Sequence, residues 1–137
     1  MVPITISYLG SLRGIALHGP SRTGLITDAP VDNHGKGESF SPTDLVATSL
    51  GTCMLTTMAI VAQRDGLRLD GATAEVEKHM SSQPPRKIAK IVVRLVLPSG
   101  IPQERQAVLE RAAHACPVAL SLHPEVEQVV TFRWGIA

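Results

Sequence analysis

Aromatic residues are scarce in this 137-residue chain, at 3% of the total: Trp134, Tyr8, Phe40 and Phe132 are distributed singly. That leaves no stacking platform for unpaired bases. Neither sign of charge dominates, since thirteen Lys and Arg against twelve Asp and Glu give a formal net charge of +1. The electrostatic footprint of a nucleic-acid binder is therefore missing. No stretch approaches the roughly 18 uninterrupted apolar residues that a membrane span needs. The opening Met1-Val2-Pro3-Ile4 is strand-like and has neither the charged region nor the apolar run of a secretory signal. The expected location is the cytoplasm, with no membrane and no nucleic acid as partner. Repeats and low-complexity segments are also missing. The Gly35-Lys36-Gly37 sequence lacks the frame of a phosphate-binding loop, and Asp28, Asp32 and Glu38 do not fit a calcium loop.

Cysteine is the other scarcity, and the two that exist are placed differently. Cys53 lies within a long apolar helical run, and Cys116 stands directly before Pro117. They are 63 residues apart, so no Cys-x-x-Cys motif exists. Cys53, Cys116 and His114 lack zinc-ligand spacing, so no metal and no cofactor is expected. In a reducing compartment, a disulfide between two such thiols would be transient and catalytic.

The chain length fits one domain spanning residues 1–137. Residues 2–9 read as a strand with Ile4, Ile6 and Tyr8 on one face, followed by strands at 12–18 and 25–27 in an antiparallel meander. Residues 28–40 form a polar stretch of a length that is often functional. Ser41 is the expected N-cap of a helix, with Pro42 at its first position, Asp44 closing a capping box and Gly66 as the stop. Such a helix is about 24 residues and roughly 36 Å long. Its apolar residues run nearly all round, which predicts burial on several sides, in the core of the molecule or of a dimer. Strands follow at 72–80 and 87–97, then a helix over 102–115 broken at Pro117, a short continuation over 118–122 and a strand over 127–134. The order βββ-α-ββ-α-β is α+β.

Cys53 sits too far along its helix for the macrodipole to activate it, so a cation from elsewhere is needed. Arg13, His18 and Arg22 are the candidates. Cys116 falls at a helix start, where free N–H groups favour a thiolate. The bland reading of either thiol is a small buried hydrophobe.

The segment Asp28-Ala-Pro-Val-Asp-Asn-His-Gly-Lys-Gly-Glu38-Ser-Phe-Ser-Pro-Thr-Asp-Leu45, running into Leu50-Gly-Thr-Cys53-Met54, resembles the OsmC/Ohr family. Ala113-His-Ala-Cys116-Pro-Val118 is similar to that family's second cysteine motif. The resemblance implies an α+β OsmC-like fold: antiparallel sheets, a long central cysteine-bearing helix, and an intertwined homodimer with its active sites at the interface. It also implies a thiol peroxidase acting on organic hydroperoxides in oxidative and osmotic stress. Cys53 would attack, Cys116 would resolve, and an external dithiol or lipoyl reductant would restore both. An arginine, best matched by Arg13, and a glutamate orient such a site. The glutamate's usual place, ten residues before the cysteine, is Thr43 here, which leaves Glu38 or Asp44 to replace it. This departure points from the hydroperoxide reductase branch towards the broader OsmC-like group. Phe40, Leu50, Met54 and Met58 would form an apolar wall for the substrate. The competing functions are binding of a small hydrophobic ligand, with both thiols inert, and a structural stress protein without chemistry.

Overall fold

A computed structural model describes residues 1–136. By their contacts these residues form two compact units, divided between Val46 and Ala47, within the long helix. The N-terminal unit is built on β1 (Ile4–Gly10), β2 (Arg13–His18) and β3 (Gly24–Asp28), an antiparallel meander as expected. Its turns carry the backbone conformations they require, with Gly10, Ser11 and Leu12 all at positive φ. Ile6, Ala16 and Leu25 are paired across the three strands. The face they share with Ile4 and Tyr8 is uncovered, and Ile6 is 73% exposed. Alternation thus marks the apolar face, and within the N-terminal unit Ile4, Ile6, Tyr8 and Leu25 on it are exposed.

Helix α1 (Pro42–Arg64) begins as its sequence dictates. The Asp44 N–H donates to Ser41 Oγ at 3.0 Å, and the Ser41 N–H donates to Asp44 Oδ2 at 2.9 Å, a reciprocal capping box. Gly66, at φ 70°, supplies the left-handed stop. By length and mean hydropathy α1 would suffice to cross a membrane, although Thr, Ser and Gly residues interrupt its apolar run throughout. Within the single chain its burial is one-sided. Ala47, Leu50, Met54, Met58 and Ala62 recur at helical spacing on the core side, while Thr48, Ser49, Thr52, Thr56 and Ile60 are exposed.

The second unit holds most of α1 together with β4 (Thr73–Met80), β5 (Ile88–Pro98), α2 (Gln103–His114), α3 (Pro117–Ser121) and β6 (Glu127–Ile136). Its sheet has the order β4-β5-β6. Strands β4 and β5 are antiparallel, but β5 and β6 are parallel, so the expectation of purely antiparallel sheets is corrected to one antiparallel and one mixed. The physical reason is the α2–α3 crossover, which is long enough to return the chain to the end of the sheet where β5 began. Ile91, Val93, Leu95 and Leu97 of β5 form the floor of the core, and the core side of α1 packs with them. At Gly51 an added Cβ would lie 2.7 Å from Val76 Cγ2, so glycine lets the helix approach β4 closely.

Candidate functional site

The N-terminal unit brings Arg13, Asp28 and Glu38 together at one end of the meander. Arg13, the first residue of β2, pairs directly with Asp28, the last of β3. The Arg13 guanidinium forms an ion pair with Glu38 and lies 3.5 Å from Asp28 Oδ2. The Glu38 hydrogen bond and charge, helped by Asp28, raise the Arg13 pKa above its usual value. Asp28 was absent from the sequence-based set. It is buried, and its Oδ2 accepts the Glu38 N–H at 3.0 Å.

The loop over residues 29–40 is folded tightly back on itself. The Gly37 N–H donates to the Ala29 carbonyl, and the Asp28 N–H donates to the Phe40 carbonyl, both at 3.1 Å. Gly35 fits so closely that an added Cβ would stand 1.8 Å from the Ala29 oxygen. Gly37, Glu38, Ser39, Phe40 and Asp44 line a shallow depression of about 430 Å³, and Phe40 is exposed there.

The alternatives for the cation and the carboxylate are now separated by their partners. His18 engages Ser21 at 2.6 Å within the β2–β3 turn, where Arg22 is also exposed. Asp44 is committed to the capping box, and Thr43 Oγ1 lies 3.2 Å from Ser41 Oγ. Within this unit Arg13 and Glu38 are the pair brought together.

The second unit holds both thiols, and both are free. Cys53 is half-buried on α1, and its Sγ lies 4.0 Å from Thr57 Oγ1. Cys116 is the N-cap of α3, as Pro117 predicts, and its Sγ accepts the Ala119 N–H at 3.4 Å. It is also wholly buried. The expectation that the helix start makes Cys116 the easier thiolate is therefore overturned. Burial pushes its pKa up more than the Ala119 amide lowers it, and the neighbouring Cys53 thiol pushes the same way. The ring of His114 stands edge-on to Phe132, with centroids 5.7 Å apart.

Leu50, Met54 and Met58 are corrected as well. All three are 0% exposed and packed in the core cluster, so they present no wall to a substrate. Apolar residues at helical spacing on a core face and a substrate wall have the same sequence signature.

An order of reaction follows from burial. Iodoacetamide at pH 8 is expected to label Cys53 at least about tenfold faster than Cys116, because only the thiolate reacts and Cys116 is held as the thiol. Raising the pH should bring Cys116 forward. Folding favours its protonated form, so the stability it contributes is present below about pH 8.5, the ordinary thiol value, and is lost above it. Peptide mass mapping of the labelled protein reads the order. Equal labelling of the two thiols would contradict it.

Comparison with known proteins adds an independent line. A family model described as OsmC-like protein matches residues 35–130. No curated protein matches. A crystal structure from Psychrobacter arcticus 273-4, described in terms of osmotic stress induction and a detoxification response, is 42% identical. The alignment covers 97% of this chain and 96% of that one, with a TM-score of 0.91. An organic hydroperoxide resistance protein from Legionella pneumophila is 17% identical over 97% of this chain and 96% of its own, with a TM-score of 0.77. Another from Elizabethkingia anophelis is 15% identical over 97% and 95%, with a TM-score of 0.76. The last two share the fold.

Proposed function

This chain belongs to the OsmC family, and on that basis we propose that it is a thiol peroxidase that reduces organic hydroperoxides in peroxide-stress defence. The observation that carries the reading is the pairing of an accessible and a buried free thiol in one unit, close enough for one to shift the other's ionisation. The Cys53 thiolate attacks the distal oxygen of the hydroperoxide. The O–O bond breaks, the alkoxide takes a proton and leaves as the alcohol, and Cys53 becomes a sulfenic acid. Cys116 gives up its proton and attacks the Cys53 sulfur. An S–S bond forms, the S–O bond breaks, and water departs. An external dithiol, lipoyl in type, then reduces the disulfide by two exchanges and is itself oxidised.

Arg13 and Glu38 are the family's cation and carboxylate in this reading. The resemblance of residues 28–45 supports their roles, as does the ion pair between them. A homodimer is part of the proposal. The uncovered apolar face of the meander supports it, since contiguous apolar surface of that kind marks an interaction site. A cytoplasmic setting fits the mechanism, because reductants there return the disulfide to thiols.

The test is a titration of free thiols on the reduced protein before and after one equivalent of cumene hydroperoxide. Rapid loss of both thiols, recovered by dihydrolipoamide, is the expected result. Two thiols surviving for minutes would reject the peroxidase and favour a ligand-binding protein with inert cysteines.

A further inference from the structure

Arg13 faces two carboxylates of opposite character. Glu38 makes the closer contact and does more to raise the Arg13 pKa. Its side chain, however, is 59% exposed, whereas that of Asp28 is 0% exposed. An ion pair with an exposed carboxylate contributes little and weakens with salt. A buried carboxylate behaves differently, because losing its cation leaves an uncompensated charge inside the protein.

Asp28 is also held in place by its surroundings. Its residue pairs with Arg13 in the β2–β3 register, and its N–H donates to the Phe40 carbonyl. Its Oδ2 takes the Glu38 amide, so the loop that carries Glu38 is tied to Asp28 through backbone rather than side chain. Its Oδ1 is buried with no hydrogen-bond partner among the described residues, so the charge of Arg13 is what compensates this carboxylate.

We propose that Asp28 is the positioning residue for Arg13, the fixed carboxylate that keeps the guanidinium in place while the Glu38 side chain is free to leave. Asp28 and Glu38 thereby divide a task that one glutamate would otherwise perform. Asp28 holds the cation and the Glu38 amide, and the Glu38 carboxylate can swing without dragging either away. The kinetic part of this inference rests on the peroxidase reading. The structural part does not.

The experiment uses the full-length reduced protein in two variants, Asp28→Asn and Glu38→Gln. The Nε–H resonance of Arg13 in nitrogen-15 NMR reports whether the guanidinium is ordered. The kcat/KM for cumene hydroperoxide is measured at low and high ionic strength. Glu38→Gln should keep the resonance and lower kcat/KM by about threefold, with less salt sensitivity than the parent protein. Asp28→Asn should merge the resonance with those of mobile arginines and lower kcat/KM by about 100-fold. A resonance that survives Asp28→Asn, or one that Glu38→Gln erases, overturns the proposal. Should Asp28→Asn fail to fold, the Glu38→Gln spectrum decides alone: a retained resonance supports the proposal and an erased one overturns it. A parent protein that consumes no peroxide refutes the peroxidase reading and leaves the NMR comparison intact.

Discussion

Cys53→Ser should lower peroxide consumption by at least about 1000-fold while leaving the protein folded. The serine hydroxyl stays protonated at neutral pH, and an alcohol has no counterpart of the sulfenic acid step. The substitution is nearly isosteric, and the half-buried Cys53 Sγ lies 4.0 Å from Thr57 Oγ1, which a serine hydroxyl can face equally well. Far-UV circular dichroism and the melting temperature should therefore change little. The companion variant separates the two half-reactions. Cys116→Ser should still consume about one equivalent of peroxide and accumulate a sulfenic acid that a dimedone probe traps, but it should not form the internal disulfide. If Cys53→Ser retained the parent rate, the assignment of the attacking thiol would be wrong.

Met54→Ala carries the largest expected effect on stability. Met54 is 0% exposed, between Leu50 and Met58 on the core side of α1. Truncation removes buried methylene and thioether contacts and leaves a cavity, a loss of about 2–5 kcal/mol. In a chain of this size the melting temperature should fall by about 10 °C, which calorimetry measures directly. The same variant discriminates between two roles for the residue. A substrate wall predicts an unchanged melting temperature and a raised KM for bulky hydroperoxides. A core position predicts a lower melting temperature and little change in KM for the protein that remains folded.

Features encoded by neighbouring residues were legible in the sequence. Ser41, Asp44 and Gly66 bound the long helix because caps and stops act within a turn of where they stand, and Pro117 places Cys116 at a helix start for the same reason. What depends on distant partners was not legible. The parallel pairing of β5 with β6 is decided by how the crossover packs, which no local pattern records. The burial of Cys116 is a tertiary fact, and it reverses a conclusion about ionisation drawn from the helix start alone. Asp28 went unnoticed because it reads as the first residue of a polar connector. Its signal was nevertheless present. A hairpin closed between His18 and Thr23 puts residue 13 opposite residue 28, so counting back along the strands sets Arg13 against Asp28. Gly35, whose missing side chain makes room for the Ala29 carbonyl, carries no comparable mark in a stretch that also contains Gly37.

The long separation of two neighbouring thiols has a mechanical consequence. Joining Cys53 to Cys116 would close a loop spanning most of the second unit, from the middle of α1 to the start of α3. In the chain-entropy account, a loop of that length disfavours the unfolded state by about 4 kcal/mol. Each turnover would thus staple the fold and then release it. A cell short of reductant would accumulate the molecule in its sturdier form, harder to unfold and slower to be degraded, so that abundance itself would register the peroxide load.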